Sequence, residues 1–194
     1  IYTGNRIIEI QNGNFNKLRP KLEAFLPHYP VTVVLPIAHF KWLIWMEESS
    51  GELSDRHKSP VTGSVYHAFP ELYKIKAFLG HPNLSLAFPL IDRDEYRLLN
   101  GWSKDKKRGS QRYDRMPLTL FDEIIIEQTA DFLQLIPYDL PDAFTVTEFA
   151  KAAKTKRELA AVALPLFVQM GLLTRTGKRG REYLYMVEEN FANY

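Results

Sequence analysis

The sequence predicts an α/β fold with several parallel strands, followed by a small helical unit that ends in two strands. Strand-like apolar runs alternate with helical periods from residue 6 to residue 92. A short helix, a tight turn, a longer helix and a strand pair follow near the C-terminus. Apolar residues make up 45% of the 194 residues, which is enough for a hydrophobic core.

The first strand is predicted at residues 6–11, RIIEIQ, just before an Asn-Gly turn. Residues 15–26 repeat apolar side chains at helical spacing, with Asn14 as the expected cap. Pro20 is expected in the first turns of that helix, because a proline further inside would remove a hydrogen bond. The apolar runs HYPVTVVLPIA and FKWLIWMEE predict two more strands, the first of them buried on both faces.

The middle of the chain predicts a helix, AFPELYKIKAFLGHPN, that begins near Pro70 and ends at Gly80. A buried strand, LSLAFPLID, follows it, and TLFDEIIIEQ is the last strand predicted in this part. The acidic run DRDEYR, residues 92–97, is expected to be a solvated loop or the start of a helix, although acids at the end of a parallel strand can also line a site.

The C-terminal region predicts two helices and two strands. VTEFAKAA is the short helix, KRELAAVALPLFVQMG is the longer one and closes at Gly171, and LLTRTGKRGREYLYMV gives the strands with a basic loop between them. We therefore predict two domains, an α/β domain of residues 1–128 and a helical domain of residues 129–194.

Composition and charge exclude several classes of protein and of functional site. The formal net charge is only +2, so a nucleic-acid surface must come from local basic clusters. The absence of cysteine excludes a disulfide scaffold, a cysteine zinc site and a thiol nucleophile, and it fits a cytoplasmic location. No apolar run is long enough for a membrane span and no signal peptide is visible, so no membrane partner is expected. Because the chain starts at Ile1, we expect further residues upstream.

Two polar side chains on the first strand predict a functional site. Glu9 and Gln11 are two residues apart, so they point to the same face of a strand. A carboxylate there could hold Mg²⁺, and its neighbour could position the attacking water. The alternative is an edge strand with a solvated face.

The order of a Glu-x-Gln strand, a helix and an apolar strand resembles the core of the PD-(D/E)XK, or restriction-endonuclease-like, nuclease superfamily. The resemblance implies a mixed-sheet core and Mg²⁺-dependent hydrolysis of DNA. It assigns Glu9 to the second acid of the motif and Gln11 to the position of the usual lysine. Because Gln11 is neither a base nor a cation, Lys17 or Lys21 on the helix is expected to replace that lysine.

The same resemblance requires a first acid, an Asp, on a strand that precedes Glu9. The residues IYTGN predict the end of a hairpin whose other strand carries it, upstream of Ile1. Phrases such as EIQNGNF, SPVTGSVY and HPNLSL are also similar to a family of uncharacterised bacterial proteins that join a nuclease-like domain to a winged helix.

Residues 144–187 resemble the winged helix-turn-helix family over their whole length. The resemblance implies that the second helix enters the DNA major groove and that the wing contacts phosphates. The basic residues that it brings to DNA are Lys154, Lys156, Arg157, Lys178, Arg179 and Arg181. The alternative is a module for protein contacts or dimerisation, with these side chains merely solvated.

A second basic segment, residues 103–115, lies beside Trp102 and Tyr113. Basic side chains with neighbouring aromatic rings suit a nucleic-acid backbone. The residues that the pattern predicts for DNA contact are Lys106, Lys107, Arg108 and Arg112. A solvated surface loop is the alternative.

Three functions follow from these patterns. The first is a metal-dependent DNA endonuclease, with Glu9, Gln11 and Lys21 in the site and a winged helix that positions the duplex. The second is a non-catalytic, regulatory DNA-binding protein whose nuclease-like domain is inactive. The third is a protein that only contacts other proteins. The sequence predicts no oligomeric state.

Overall fold

The N-terminal segment forms a strand and a helix, as the apolar pattern predicts. The computed structural model describes residues 1–101 and 109–191. Strand β1 (Ile7–Ile10) is followed by a 3-10 helix (Phe15–Lys17) and helix α1 (Arg19–Phe25). Pro20 lies in the first turn of α1, as expected.

The prediction that Asn14 caps this helix is wrong. Asn14 adopts the left-handed conformation, with φ of 60°, and its side chain makes no capping hydrogen bond. The first backbone amide, that of Phe15, donates instead to Glu71 Oε2 at 2.7 Å. A carboxylate from a distant segment therefore satisfies the helix start, which local sequence cannot reveal.

The residues group by their mutual contacts into two compact units, and each unit is built from more than one segment of the chain. The first unit consists of Ile1–Leu35, Val65–Phe88 and Ile124–Tyr194, and the second of Pro36–Ser64 and Pro89–Glu123. The predicted boundary between residues 128 and 129 falls inside the first unit. As a division between functional domains it stays a prediction.

Parallel strands carry the predicted site residue Glu9 in the first unit. Strand β2 (Val31–Val34) pairs in parallel with β1 and with the first residues of β5 (Leu84–Leu99). Glu9 is in register with Val33. Alternate residues of β2 are buried, so this strand is buried on one face and not on both as predicted.

The helix predicted from about Pro70 to Gly80 is replaced by short helical turns. A 3-10 helix (Val65–Ala68), helix α2 (Phe69–Leu72) and a second 3-10 helix (Tyr73–Ile75) follow one another. Their buried residues Phe69, Leu72 and Ile75 are spaced by three, which is the period of a 3-10 helix.

The C-terminal segment has the predicted order of two helices and two strands. A 3-10 helix, Thr129–Leu135, precedes them. The other elements are α3 (Val146–Ala152), α4 (Arg157–Gln169), β7 (Leu173–Arg179), β8 (Glu182–Val187) and a 3-10 helix (Glu189–Phe191). Helix α4 continues through Pro165. Phe167 of α4 lies 5.3 Å from Phe69 and 6.3 Å from Phe132, between ring centroids, so the helices share one aromatic core with α2.

The second unit is mainly β-structure. Its strands are β3 (Ile37–Glu47), β4 (His57–Lys58), the rest of β5, and most of β6 (Ser110–Ile126). Strand β3 pairs in parallel with β5 and antiparallel with β4, and β6 also pairs with β5. The run at residues 92–97 is part of β5, so the prediction of a solvated loop or the start of a helix is wrong.

The fold is therefore mixed α/β, with a mixed sheet and several helices. Within residues 1–101 and 109–191, no helix combines the length and the apolar character that a membrane crossing requires. The cytoplasmic location stays a prediction.

Candidate functional site

Glu9, Gln11 and Lys21 meet at the carboxyl end of β1. Glu9 Oε1 accepts a hydrogen bond from Gln11 Nε2 at 2.7 Å and a second one from Lys21 Nζ. The period of two along the strand places Glu9 and Gln11 on one face, and α1 brings Lys21 over that face. Of the two lysines proposed from the sequence, Lys21 is the one that pairs with Glu9.

The electrostatics of this cluster keep Glu9 ionised. Its side chain is 17% exposed, whereas that of Lys21 is 48% exposed. Burial raises the pKa of Glu9, but the hydrogen bonds from Lys21 and Gln11 outweigh burial, so the pKa is lowered from its ordinary value. At neutral pH the cluster is a carboxylate with an ammonium group at one of its oxygens.

The carboxylate oxygens of Glu9 meet only part of what a Mg²⁺ site requires. Both hydrogen bonds end on Glu9 Oε1, and within the described residues Oε2 accepts none. Mg²⁺ is often held by one or two carboxylates, with water and substrate phosphates as its other ligands. Glu9 fits the role of one such carboxylate ligand. Within residues 1–101 and 109–191, no group of three His, Cys, Asp or Glu side chains could hold a metal.

The residues just before β1 pair back onto it, and the upstream strand with an Asp stays a prediction. The Ile8 backbone amide donates to the Ile1 carbonyl at 2.8 Å, and Tyr2 bridges Ile7 in antiparallel orientation. Glu9 thus follows directly on a paired segment, which restricts the backbone next to the candidate site.

Two of the predicted DNA-binding arginines are held in contacts within the C-terminal segment. Arg157 Nη2 lies 3.0 Å from Glu182 Oε1, which joins α4 to β8. Arg179 Nη1 lies 2.6 Å from Glu148 Oε1, which joins β7 to α3. Arg179 also donates to the carbonyl of Ala143 at 3.2 Å. These two ion pairs therefore hold strands β7 and β8 against helices α3 and α4.

The other predicted basic residues of this segment are exposed and available. Lys154, Lys156 and Arg181 form no ion pair with any residue that the structure describes. Lys178 Nζ lies 4.8 Å from the centre of the Tyr183 ring, and the Arg175 guanidinium lies 4.7 Å from the same centre. We call these residues, Lys154, Lys156, Arg175, Lys178, Arg181 and Tyr183, the hairpin surface.

The basic segment near residue 110 is described in part. Lys106, Lys107 and Arg108 lie outside the described residues. Arg112 is on β6, where its Nε lies 3.7 Å from Glu95 Oε2. It therefore belongs to a charge cluster of the second unit that the sequence did not predict.

The comparisons with known proteins identify a family but no activity. Residues 1–127 match the sequence model of a family described as Domain of unknown function (DUF8091), which is more than half of the chain. The chain belongs to the DUF8091 family. A protein of Treponema pallidum (strain Nichols), named "Uncharacterized protein", is 26% identical over 194 residues, which are 97% of this chain and 74% of that protein. No solved structure matches the chain significantly.

The DUF8091 match includes Glu9, Gln11 and Lys21, whereas the hairpin surface lies beyond it. The Treponema relative is similar across both regions. The candidate site at Glu9 therefore lies in the part that defines the family.

The sequence did not predict the place of some charged residues in these surfaces. Arg175 was missed because it precedes the basic loop, although it is two residues from Gly177 on the same strand. Arg93, Glu95 and Arg97 belong to the acidic run for which the sequence did not predict a strand, but they lie on β5. Their alternation with other residues is the period of a strand face and was the available signal.

Proposed function

We propose that this protein binds DNA through a winged helix-turn-helix module at residues 144–187, attached to a restriction-endonuclease-like α/β domain. The hairpin surface carries this proposal. It combines basic side chains that form no ion pair within the described part of the chain with an exposed tyrosine on which two more cations stack. Cationic side chains that neutralise phosphates of DNA release its counterions. The order of α3, α4, β7 and β8 supports the assignment of the module.

A double substitution tests DNA binding. We expect Lys178→Gln with Arg181→Gln to weaken binding to a DNA duplex and to reduce the slope of log K against log salt by about 2, since each phosphate contact contributes roughly 0.9. The measurement is fluorescence anisotropy over a range of salt concentrations. Lowered affinity with an unchanged melting temperature is the expected result.

The control pair removes the same charges elsewhere in the first unit. Arg19 is exposed on α1, and Lys76 is exposed with its Nζ 4.5 Å from the centre of the Tyr73 ring, as Lys178 stacks on Tyr183. We expect Arg19→Gln with Lys76→Gln to bind DNA like the unsubstituted protein. Equal losses in the two pairs, or binding that does not depend on salt, would contradict the proposed surface.

Phosphodiester hydrolysis is the second candidate function, and the contact of Glu9 with Lys21 favours it. Glu9 would hold Mg²⁺, which when bound supplies Lewis-acid polarisation of the phosphate and a water of lowered pKa. Gln11 orients the carboxylate through its hydrogen bond to Oε1. Lys21 places a positive charge where the phosphate would gain negative charge.

Cleavage by the full-length protein tests this candidate. We expect Glu9→Gln and Lys21→Gln to abolish Mg²⁺- or Mn²⁺-dependent cleavage of plasmid and oligonucleotide substrates. Glu23→Gln, an exposed carboxylate on the same helix as Lys21, is expected to keep it. If the unsubstituted protein binds DNA but cuts no substrate with either metal, the non-catalytic alternative stands.

A further inference from the structure

A cluster of cations surrounds one buried carboxylate in the second unit. The Glu95 side chain is only 1% exposed. Arg97 Nη2 lies 2.8 Å from Glu95 Oε1, while Arg93 Nη2 and Arg112 Nε lie 3.4 Å and 3.7 Å from Oε2. We call these residues, together with Lys41 and Arg115, the arginine cluster.

Strand geometry explains why these charges gather. Arg93, Glu95 and Arg97 occupy alternate positions of β5 and so share one face. In the parallel register of β3 with β5, Lys41 is the partner of Arg93, which places it on the same face. Lys41 and Arg115 both interact electrostatically with Glu95.

The cluster is not neutral. Lys41 and the arginines outnumber the one carboxylate that they surround. Burial raises the pKa of Glu95, but the surrounding cations outweigh it and lower the pKa, so Glu95 is ionised. Lys41 is half-buried, and burial lowers its pKa.

Hydrogen-bond donors remain unused in the cluster. Arg93 Nε and Arg115 Nε are buried, and neither has a hydrogen-bond partner within the described residues. A guanidinium carries several donors in one plane, so the single carboxylate of Glu95 cannot satisfy them all. Unused buried donors on excess cations call for an anion, because leaving them unpaired costs desolvation energy.

We propose that the arginine cluster binds phosphoryl groups, carried either by the backbone of a nucleic acid or by a free nucleotide or inorganic phosphate. The planar fork of a guanidinium matches two oxygens of a phosphate, and several forks together favour an ion of multiple charge. Glu95 acts as a positioning residue that orients Arg93 and Arg97. This site does not depend on the hairpin surface or on Glu9.

The test compares binding and stability in one set of variants. Inorganic phosphate, pyrophosphate, a nucleoside triphosphate and a single-stranded oligonucleotide are titrated calorimetrically into the full chain. For whichever of these ligands binds the unsubstituted protein, we expect Arg112→Gln with Arg115→Gln to lower the affinity at least tenfold. We also expect its melting temperature without ligand to stay equal or rise, since like charges are removed. Lys58→Gln removes one charge of the same unit, whose Nζ stacks on Phe40 at 3.5 Å, and it is the control for the loss of a cation outside the cluster.

The outcomes separate the proposal from a structural role. Loss of binding together with loss of the ligand-induced rise in melting temperature supports it. Absence of binding by every probe, equal binding by the double variant, or equal loss in Lys58→Gln overturns it. Tighter binding of the oligonucleotide than of the triphosphate identifies a nucleic-acid backbone, and the reverse identifies a free phosphate ligand. Binding of phosphate that survives Lys178→Gln with Arg181→Gln separates this site from the proposed DNA-binding module.

Discussion

At the scale of single residues, the turn between α3 and α4 contains an unusual lysine. Lys154 adopts a left-handed conformation with φ of 49°. The amide of Thr155 donates to the Ala150 carbonyl at 2.9 Å, which closes the helix end in a Schellman motif. After α4 the same motif has Gly171, with φ of 74°, at the equivalent position. Lys154 therefore occupies a place where glycine is favoured, and its side chain is exposed.

We expect Lys154→Gly to stabilise the protein by about 1 kcal/mol, because glycine adopts the left-handed conformation without steric cost. The same variant is expected to weaken DNA binding, since it removes a charge of the hairpin surface. Urea denaturation and the salt-dependent anisotropy assay measure the two effects.

Two controls separate charge from conformation. Lys154→Ala removes the charge but keeps the unfavourable conformation, so we expect weaker DNA binding without the gain in stability. Gly171→Ala is expected to lose about 1 kcal/mol, because a Cβ there meets no atom within 4 Å and only the backbone is strained. A loss of stability in Lys154→Gly would show that the lysine side chain holds the turn.

At the scale of elements, α3 begins with a capping box that also fixes the hairpin. The Thr145 hydroxyl accepts from the Glu148 amide at 3.2 Å, and Glu148 Oε2 accepts from the Thr145 amide at 2.8 Å. The other oxygen of Glu148 pairs with Arg179. Helix start and hairpin are thus connected through one carboxylate.

We expect Thr145→Ala to lower the free energy of unfolding by about 1 kcal/mol, because the Glu148 amide loses its partner. Thr145→Ser keeps the hydroxyl, and we expect it to lose only a small part of that. The free energy is measured by urea denaturation of both variants. Equal losses in the two would assign the effect to the buried methyl group of Thr145 and not to the cap.

Elements were predictable where the apolar period and the residues at the element ends agree. The C-terminal helices combine a helical period with a glycine after α4, and β1 and α1 are separated by an Asn-Gly turn. The prediction of one helix from about Pro70 to Gly80 was wrong, because Phe69, Leu72 and Ile75 fit both a loose α-helical period and a 3-10 period.

Site residues were predictable only where their partners are close in sequence. Lys21 was found because a strand and the helix that follows it are neighbours, so α1 had to pass over Glu9. The arginine cluster was missed because β3 and β6 bring Lys41 and Arg112 to Glu95 from distant parts of the chain. The alternation of Arg93, Glu95 and Arg97 indicates a strand face, but the local sequence does not show which partners that face meets.

At the scale of the whole molecule, buried and partly buried carboxylates make the free energy of unfolding depend on pH in the acid range. The pKa values of Glu9, Glu71 and Glu95 are all lowered in the folded state. Each carboxylate therefore contributes stability fully above its ordinary value of 4.5 and progressively loses it as the pH falls through its lower folded value.

We expect the free energy of unfolding to fall as the pH is lowered below about 4.5. Glu95→Gln is expected to cost about 3 kcal/mol at neutral pH, because it leaves the cations of the arginine cluster without their counter-charge. It is also expected to flatten the decline in acid. Urea denaturation at a series of pH values measures both, and an unchanged acid dependence in Glu95→Gln would contradict the role given to that carboxylate.

The interleaved course of the chain has a consequence for how the protein can be dissected. The first unit draws on segments from the beginning, the middle and the end of the sequence. No truncation can yield that unit alone, and a product that stops before Ile124 lacks one of its segments. Because distant segments must meet before this unit is closed, we expect slow folding, and we expect prematurely terminated chains to be substrates for proteases.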